Sequence, residues 1–240
     1  MDDERAMATE FIDQPDCDAT LAAISYRFME RINRYFGGIR VVRDFLSEQT
    51  ANGLTGGRIR ILDIGTGSCD IPLAISRWAH ACGLDLHFTC LETAHHAIAI
   101  ATEKLGRAGD PRVQLLQADV FAHRPMAAYD YAVASMCFHH FSDSQIIAVL
   151  QRLRRFVRRG VLINDLRRSR AALLAVRPLL ISMPLAVRHD ALLSIRRGFK
   201  VDELKHLLHR LNNVTVGVRA VHWFRIAATV RFDPGGRYDS

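Results

Sequence analysis

Residues 58–76 read RIRILDIGTGSCDIPLAIS, and this stretch decides the fold. An apolar strand runs into a turn that contains Gly65 and Gly67, and the turn runs into a helix. A strand, turn and helix in this order direct free backbone N–H groups and the positive end of the helix at a ligand above the sheet. The stretch therefore predicts an α/β protein with a ligand site at this turn.

The side chains around the turn indicate the charge of that ligand. A dinucleotide fingerprint requires G-x-G-x-x-G, but Asp70 stands where the third glycine belongs. Asp63 ends the strand two residues before Gly65, so a carboxylate faces the site, repels a pyrophosphate and favours a cation. The pattern favours S-adenosylmethionine, which carries an ammonium and a sulfonium group, over a nicotinamide dinucleotide.

These residues resemble the first motif of the class I S-adenosylmethionine-dependent methyltransferases, in which an acid precedes G-x-G. The resemblance extends over about residues 58–165. It implies that Glu92, the last residue of the strand LHFTCLE, holds the ribose hydroxyls and that Asp119, in VQLLQADVF, contacts the adenine amino group. The cofactor-binding residues it implies are Asp63, Gly65, Thr66, Gly67, Ser68, Glu92, Thr93, Asp119, Val120 and Ser135.

The hydrophobic periodicity predicts alternating strands and helices, and therefore a parallel sheet covered on both faces. We expect strands near 60–64, 86–91, 113–117, 130–135 and 160–164, with helices near 69–81, 94–106 and 143–157. Two further strands near 213–219 and 222–231 resemble the antiparallel hairpin of the family. The prediction is a Rossmann-like, seven-stranded, mostly parallel α/β fold with an N-terminal helical cap at 1–56, a methyltransferase domain at 57–240 and a substrate lid at about 166–198.

Length and composition fit one catalytic domain with helical additions, since the chain has 240 residues. The sequence lacks a continuous apolar run of about 18 residues, and it begins with an acidic stretch, so we expect a cytoplasmic protein without a membrane span. Five cysteines without a C-x-x-C pair indicate reduced thiols, and we expect no metal site. We expect the protein to be a monomer or a homodimer.

The net charge of +7 raises the alternative of a nucleic-acid substrate. Residues 152–200 contain twelve arginines and one lysine against two acids. The segment has only two aromatic residues for base stacking, and five of its arginines are predicted on one helix and its end, where a solvated face explains them. We therefore expect no nucleic-acid partner, with an RNA methyltransferase that uses this basic face as the alternative.

Histidines near the predicted site are candidate general bases, because removing a proton from a phenol or an activated carbon helps methyl transfer. His139 and His140 follow the fourth strand at its carboxyl end, and the resemblance implies that one of them shapes the cofactor pocket. His189 lies in the predicted lid beside Asp190, which either orients it or caps a helix. Asp165 ends the fifth strand and faces the same crevice, or forms an ion pair there.

The apolar segment AALLAVRPLLISMPLAV, residues 171–187, contains Arg177, Pro178 and Pro184, so it does not span a membrane. We interpret it as a lid over a lipophilic substrate, with a buried dimer or cap interface as the alternative and peripheral membrane contact as a possibility. RYFGG, NDLRRS and RHDALLSIRRGF resemble bacterial methyltransferases of phenolic lipids, quinones and aromatic polyketides. The implied acceptor is phenolic or quinone-like, with oxygen favoured over carbon, and the residues assigned to it are Tyr26, Arg34, Met136, Arg167 and Arg197.

Other methyl-transfer chemistries fit the sequence less well. Enzymes that methylate exocyclic amino groups of nucleic acids carry Asn/Asp-Pro-Pro-aromatic after the fourth strand, whereas this chain has SMCF at 135–138. A cytosine-carbon enzyme requires a nucleophilic cysteine, usually beside a proline, and Cys137 has no proline neighbour. A non-catalytic cofactor-binding protein with this fold stays open, because fold alone does not fix activity.

Overall fold

Seven strands form a single sheet in the computed structural model, which describes residues 4–14, 16–51, 57–221 and 224–233. Their spatial order is β3-β2-β1-β4-β5-β7-β6, with β7 antiparallel to both of its neighbours and the other pairs parallel. The predicted fold class is confirmed. The strands are β1 (Ile59–Ile64), β2 (Leu86–Glu92), β3 (Val113–Gln117), β4 (Tyr129–Ser135), β5 (Val157–Leu166), β6 (Val214–Val221) and β7 (Arg225–Phe232).

Helices cover both faces of the sheet. Ile146, Leu150 and Leu204 pack against one face of the sheet. Val42 and Ile75 pack against the other face. Because both faces are buried, the central strands are almost continuously apolar. The helices are α1 (Ala19–Tyr35), α2 (Gly38–Ala51), α3 (Asp70–Ala81), α4 (His95–Ala108), α5 (Asp143–Leu153), α6 (Arg170–Leu180), α7 (Leu185–Arg197) and α8 (Val201–Leu208).

Side-chain caps set the starts of several helices. The Asp18 carboxylate accepts the Leu21 N–H at 2.9 Å at the start of α1, and Ser142 with Gln145 forms a capping box at the start of α5. Ser169 caps α6 through the Ala172 N–H. The predicted division between a cap and a catalytic domain, at residues 56 and 57, borders on 52–56, which lie outside the described residues.

The helix predicted over 143–157 is shorter than expected, because α5 ends at Leu153 and β5 begins at Val157. Strand pairing of Val157 with Tyr129 overrides the helical pattern there. Arg158 and Arg159 therefore lie in a strand, and the Arg152 guanidinium donates to two backbone carbonyls. The prediction that all five arginines lie on one helix and its end is therefore wrong for Arg158 and Arg159, and the nucleic-acid alternative stays open.

The N-terminal helix and the segment predicted as a lid pack on each other. Phe28 and Ile32 of α1 form an apolar cluster with Val176 of α6 and with Val187 and Ile195 of α7. This cluster lies beyond the carboxyl ends of β4 and β5, next to the point where the strand order reverses between β1 and β4. Within the described ranges, no helix combines the length and apolarity that crossing a bilayer requires.

Candidate active site

A polar cavity of about 360 Å³ opens at the carboxyl ends of β1, β2 and β4. Open α/β sheets bind ligands at this position. The sequence assigned ten residues to the cofactor, and eight of them line this cavity. These eight are Asp63, Gly65, Thr66, Gly67, Ser68, Glu92, Thr93 and Ser135.

The glycine turn requires glycine for both conformation and space. Gly65 and Gly67 have φ of +62° and +57°, in the left-handed region that glycine adopts without steric cost. A Cβ on Gly65 would lie 2.6 Å from Cys137 Sγ, and one on Gly67 would lie 3.4 Å from the Tyr26 ring. The Tyr26 side chain, which α1 provides, therefore covers the turn. Tyr26 was predicted to contact the substrate, and it lines the polar cavity.

Carboxylates dominate the charge of this cavity. Burial raises the pKa of Asp63 to about 7, although a hydrogen bond from Thr66 opposes the shift. The Glu92 carboxylate accepts the Gly67 N–H at 2.8 Å and also the N–H groups of Thr93 and Ala94. Acidic Glu10, Asp13 and Asp70 line the same cavity, with Arg197 as its one arginine among the described lining residues. This field favours a cationic ligand, and oxygen acceptors on Glu92 suit a diol.

The α1 helix is tied to the glycine turn by polar contacts. Ser68 donates to the Glu30 carboxylate at 2.8 Å, and the Lys104 ammonium bridges both side chains. Asn33 donates to Asp70 at 3.0 Å and accepts from the buried Arg225 guanidinium at 2.7 Å. The cap thereby fixes one wall of the cavity.

His139 and Asp165 form a buried pair on the other wall. The His139 Nδ1–H donates to Asp165 Oδ1 at 2.6 Å, and the His139 backbone N–H donates to Oδ2 at 3.1 Å. Burial opposes ionisation of Asp165, but the charge and hydrogen bond of His139 prevail, so the pKa of Asp165 lies below its usual value. This arrangement leaves Nε2 of His139 as the nitrogen that faces the cavity.

An N-terminal segment, residues 5–13, completes this wall. Glu10 Oε1 lies 3.7 Å from His139 Nε2, and within the described chain it is buried without a hydrogen-bond partner. Burial raises the pKa of Glu10 to about 7, although His140 and Arg197 lower it. Burial opposes ionisation of Asp13, but its pKa is lowered because the hydrogen bond with His140 Nδ1 at 3.0 Å acts together with the charges of His140 and Arg197.

Glu10, His139 and His140 each place one potential metal-ligand atom within 4.8 Å of the others. However, an Arg197 guanidinium nitrogen already lies 3.6 Å from Glu10 Oε1. A fixed cation at that distance balances the carboxylate and repels a metal ion. The absence of a metal stays a prediction, and we interpret the cluster as acid–base groups.

Hydrogen bonds from Arg5 and to Asp190 hold this segment in place. The Arg5 guanidinium donates to the carbonyl oxygens of His139, Phe141 and Arg197 and forms an ion pair with Asp143 at 2.8 Å. Asp190 accepts the backbone N–H groups of Phe11 and Ile12 at 2.9 and 3.0 Å. Asp190 therefore anchors the N-terminal segment, and it contacts His189 only at 3.3 Å.

A second, apolar pocket adjoins the polar cavity beneath α6 and α7. Its volume is about 60 Å³, and its walls include Phe28, Val176, Val187 and Phe224. Five residues line both spaces and form the junction between them. These are Glu10, Ile12, Met29, Met136 and Ser194.

The structure places several predicted site residues away from these two spaces. His189 is exposed and packs its ring against Phe11 at 5.1 Å, so it does not meet the other candidate bases. Arg34 stacks over Tyr35 at the surface, and Arg167 donates its backbone N–H to the Phe224 carbonyl at 2.8 Å. Neither contributes to the described walls of the cavity or the pocket.

Two residues assigned to the adenine end also lie outside the polar cavity. The Asp119 carboxylate accepts the Phe121 N–H at 2.7 Å, so it serves as a turn cap, and its side chain is exposed. Val120 packs into the core. Of the other predicted residues, Met136, His139, His140 and Arg197 line the cavity, and Asp165 lies buried behind His139.

Sequence reasoning missed Glu10, Asp13 and the anchoring Arg5. These residues lie in a segment with one short 3-10 turn, Phe11–Asp13, and no helical or strand periodicity. Local sequence patterns do not predict their roles, because their partners lie more than a hundred residues away in the chain.

Comparisons with known proteins agree with this geometry. Residues 61–160 match the family of methyltransferase domains. No curated protein matches the sequence. A solved structure of the plantazolicin methyltransferase BpumL in complex with SAH is similar at 15% identity and a TM-score of 0.69, over 92% of this chain and 94% of that chain.

Two further solved structures are similar. The plantazolicin methyltransferase BamL, with a triazolic desmethylPZN analog and SAH, has 16% identity and a TM-score of 0.65, over 88% of this chain and 90% of that chain. The magnesium protoporphyrin IX methyltransferase ChlM from Synechocystis PCC 6803, with bound SAH, has 14% identity and a TM-score of 0.55, over 82% and 84%. At these identities the likeness shows a shared fold.

Proposed function

We propose that this S-adenosylmethionine-dependent methyltransferase methylates an oxygen atom of a lipophilic aromatic molecule of phenolic or quinone-like character. The match of residues 61–160 to methyltransferase domains and the shared fold of the solved methyltransferases support the activity. The observation that carries this proposal is the junction of the polar cavity with the apolar pocket, where Glu10 lies 3.7 Å from His139 Nε2 in the cavity wall. A reacting group at this junction would have the donor on one side and an apolar skeleton on the other.

The polar cavity fits the donor. The open backbone at Gly65 and Gly67 leaves room that a Cβ would fill, and Glu92 offers carboxylate oxygens for the ribose diol. Asp63 and the other acids attract its positive charge. When bound, S-adenosylmethionine supplies an electrophilic methyl carbon that an acceptor atom attacks in line.

The apolar pocket supports a lipophilic acceptor. Phe28, Val176, Val187 and Phe224 offer contacts to a hydrocarbon or ring system, whereas the polar atoms cluster at the junction. The solved neighbours are named as methyltransferases of plantazolicin and of magnesium protoporphyrin IX, which also supports a small-molecule acceptor.

The His139 imidazole takes the acceptor proton in this proposal. Asp165 holds Nδ1–H, so the Nε2 lone pair faces the junction, and the buried carboxylate stabilises the imidazolium that forms. The acceptor oxygen would bond to the methyl carbon of a bound donor as its proton passes to Nε2, and the bond from that carbon to the sulfonium sulfur would break, which leaves a neutral thioether. Glu10 at the junction and His140 in the wall of the polar cavity would orient the hydroxyl group.

We further propose that the reaction takes place in the cytoplasm. Five cysteines are free thiols, and two of them, Cys69 and Cys90, are buried in the core. A reducing compartment keeps such thiols intact.

The proposal is tested by labelled methyl transfer to a phenolic lipid, a hydroxyquinone, a lipophilic alcohol without a ring, and bulk RNA in parallel. We expect labelled ethers of the first two and no labelled RNA. Labelled RNA with a steep salt dependence would favour the nucleic-acid alternative. Donor binding with no transfer to any acceptor would indicate a non-catalytic protein.

A pocket-filling variant locates the acceptor. Ala191→Phe adds a ring to the apolar pocket without touching the polar cavity, so we expect the KM for the acceptor to rise at least tenfold while donor affinity is retained. Ala127→Phe, at an exposed site before the amino end of β4, is the matched control. Equal effects of both variants would contradict the assignment of the pocket.

A further inference from the structure

The α6 helix is apolar on two sides. Ala172, Val176 and Leu180 are buried against the rest of the protein. Ala171, Leu174, Pro178 and Ile181 follow one another at intervals of three and four residues on the other side, so they form a second stripe. Leu174 is 62% exposed and Ile181 is 72% exposed. A surface helix usually presents polar side chains at such positions, and contiguous exposed apolar groups indicate an interaction surface.

A groove of about 710 Å³ extends this stripe toward the end of α1. Tyr35, which is 70% exposed, and Phe36 line the groove opposite Leu174 and Pro178. We call Tyr35, Ala171, Leu174, Pro178 and Ile181 the outer face.

Positive charge surrounds the outer face. Arg34, Arg170 and Arg177 are exposed and adjoin its residues in the chain. Between residues 167 and 200 the sequence has a single acid, Asp190, whose buried carboxylate is engaged by the N–H groups of Phe11 and Ile12. An apolar stripe with cationic flanks and little negative charge is complementary to an anionic lipid surface.

We propose that the outer face docks this protein on the surface of an anionic lipid bilayer. The same face is a poor self-interface, because a two-fold contact would bring its arginines against their own copies. Phe224 lines both the outer groove and the inner apolar pocket. Docking therefore places the pocket next to the phase in which a lipophilic acceptor dissolves, and in this respect the inference rests on the proposed function.

Vesicle sedimentation of the full chain tests this inference without donor or acceptor. The probes are vesicles of phosphatidylcholine alone and vesicles that also contain about 30% phosphatidylglycerol. We expect at least tenfold tighter binding to the anionic vesicles, weakened by salt. Leu174→Gln with Ile181→Gln, and separately Arg170→Gln with Arg177→Gln, should each reduce this affinity by about tenfold or more.

Matched controls lie near the amino ends of β4 and β5. Met126 is fully exposed before β4, and Arg155 is exposed after α5, so Met126→Gln and Arg155→Gln should leave vesicle binding unchanged. Absent binding, or equal binding to neutral and anionic vesicles, would overturn the inference. Self-association that Leu174→Gln with Ile181→Gln abolishes would assign the face to a second copy instead. Donor binding by calorimetry is a separate measurement, so failure of the proposed function would be visible independently.

Discussion

The polar cavity and the apolar pocket share a wall, but the chain builds them in different ways. The cavity takes Asp63, Glu92 and Ser135 from the ends of three neighbouring parallel strands, so each residue directly follows a local pattern. The pocket combines Glu10 and Phe224 with residues of α1, α6 and α7. A site that is built by one turn and the adjacent strand ends can be predicted from a short stretch of sequence. A pocket between segments that are distant in the chain forms only when those segments pack together.

This difference predicts that the two spaces can be disabled separately. The largest effect is expected from Gly65→Val, since its Cβ would lie 2.6 Å from Cys137 Sγ at a φ of +62°. We expect donor affinity in calorimetry to fall by about a thousandfold, because both the backbone and Cys137 must shift into the donor site.

Gly83→Val separates backbone strain from this clash. Gly83 has a φ of +70°, but a Cβ there meets nothing within 4 Å. This control should reduce stability in a thermal melt and leave donor affinity within about twofold of wild type. Comparable losses of donor affinity in both variants would mean that a general loss of stability, and not the space above Gly65, weakens binding.

On the opposite wall of the polar cavity, Asp165→Asn should reduce kcat by about a hundredfold while donor affinity is retained. Asn at this position no longer provides the carboxylate that fixes the Nδ1–H tautomer and stabilises the imidazolium. The loss should shrink as the pH approaches about 10, where a phenolic acceptor ionises without a base.

His189→Ala provides the matched comparison, because His189 is exposed and lies outside both spaces. We expect its kcat and its pH profile to follow wild type. A pH-independent loss in Asp165→Asn would reduce Asp165 to a structural role, and a loss of kcat in His189→Ala would move the base to the lid.

The sequence predicted the fold and most of the polar cavity because strands and glycine turns are local patterns. Asp119 follows the expected strand and accepts the Phe121 N–H outside the described walls of the cavity, so its adenine contact stays a prediction. The sequence predicted that Asp190 orients His189 or caps a helix, but its carboxylate accepts hydrogen bonds from backbone N–H groups about 180 residues earlier in the chain. Glu10 carries no local signal, because only tertiary packing brings it to His139.

Glu10 provides the smallest and most specific test of how the N-terminal segment closes the junction. Its pKa is raised from 4.5 to about 7 by burial, so the folded state binds the proton more tightly than the unfolded state. The stability that this protonation contributes is complete below pH 4.5 and is lost as the pH rises through about 7. The other charged groups that face Glu10 are Asp13, His139, His140 and Arg197.

Glu10→Gln removes this titration and keeps the side-chain shape. Between pH 5 and pH 8, the variant should gain about 2 kcal/mol of unfolding free energy relative to wild type, measured in urea at each pH. The raised pKa of Asp63 destabilises both proteins alike over the same range, so it cancels in the difference. Parallel stability curves would instead mean that Glu10 is ionised in the folded state, held by Arg197 at 3.6 Å, and that the junction presents a carboxylate to the acceptor at every pH of that range.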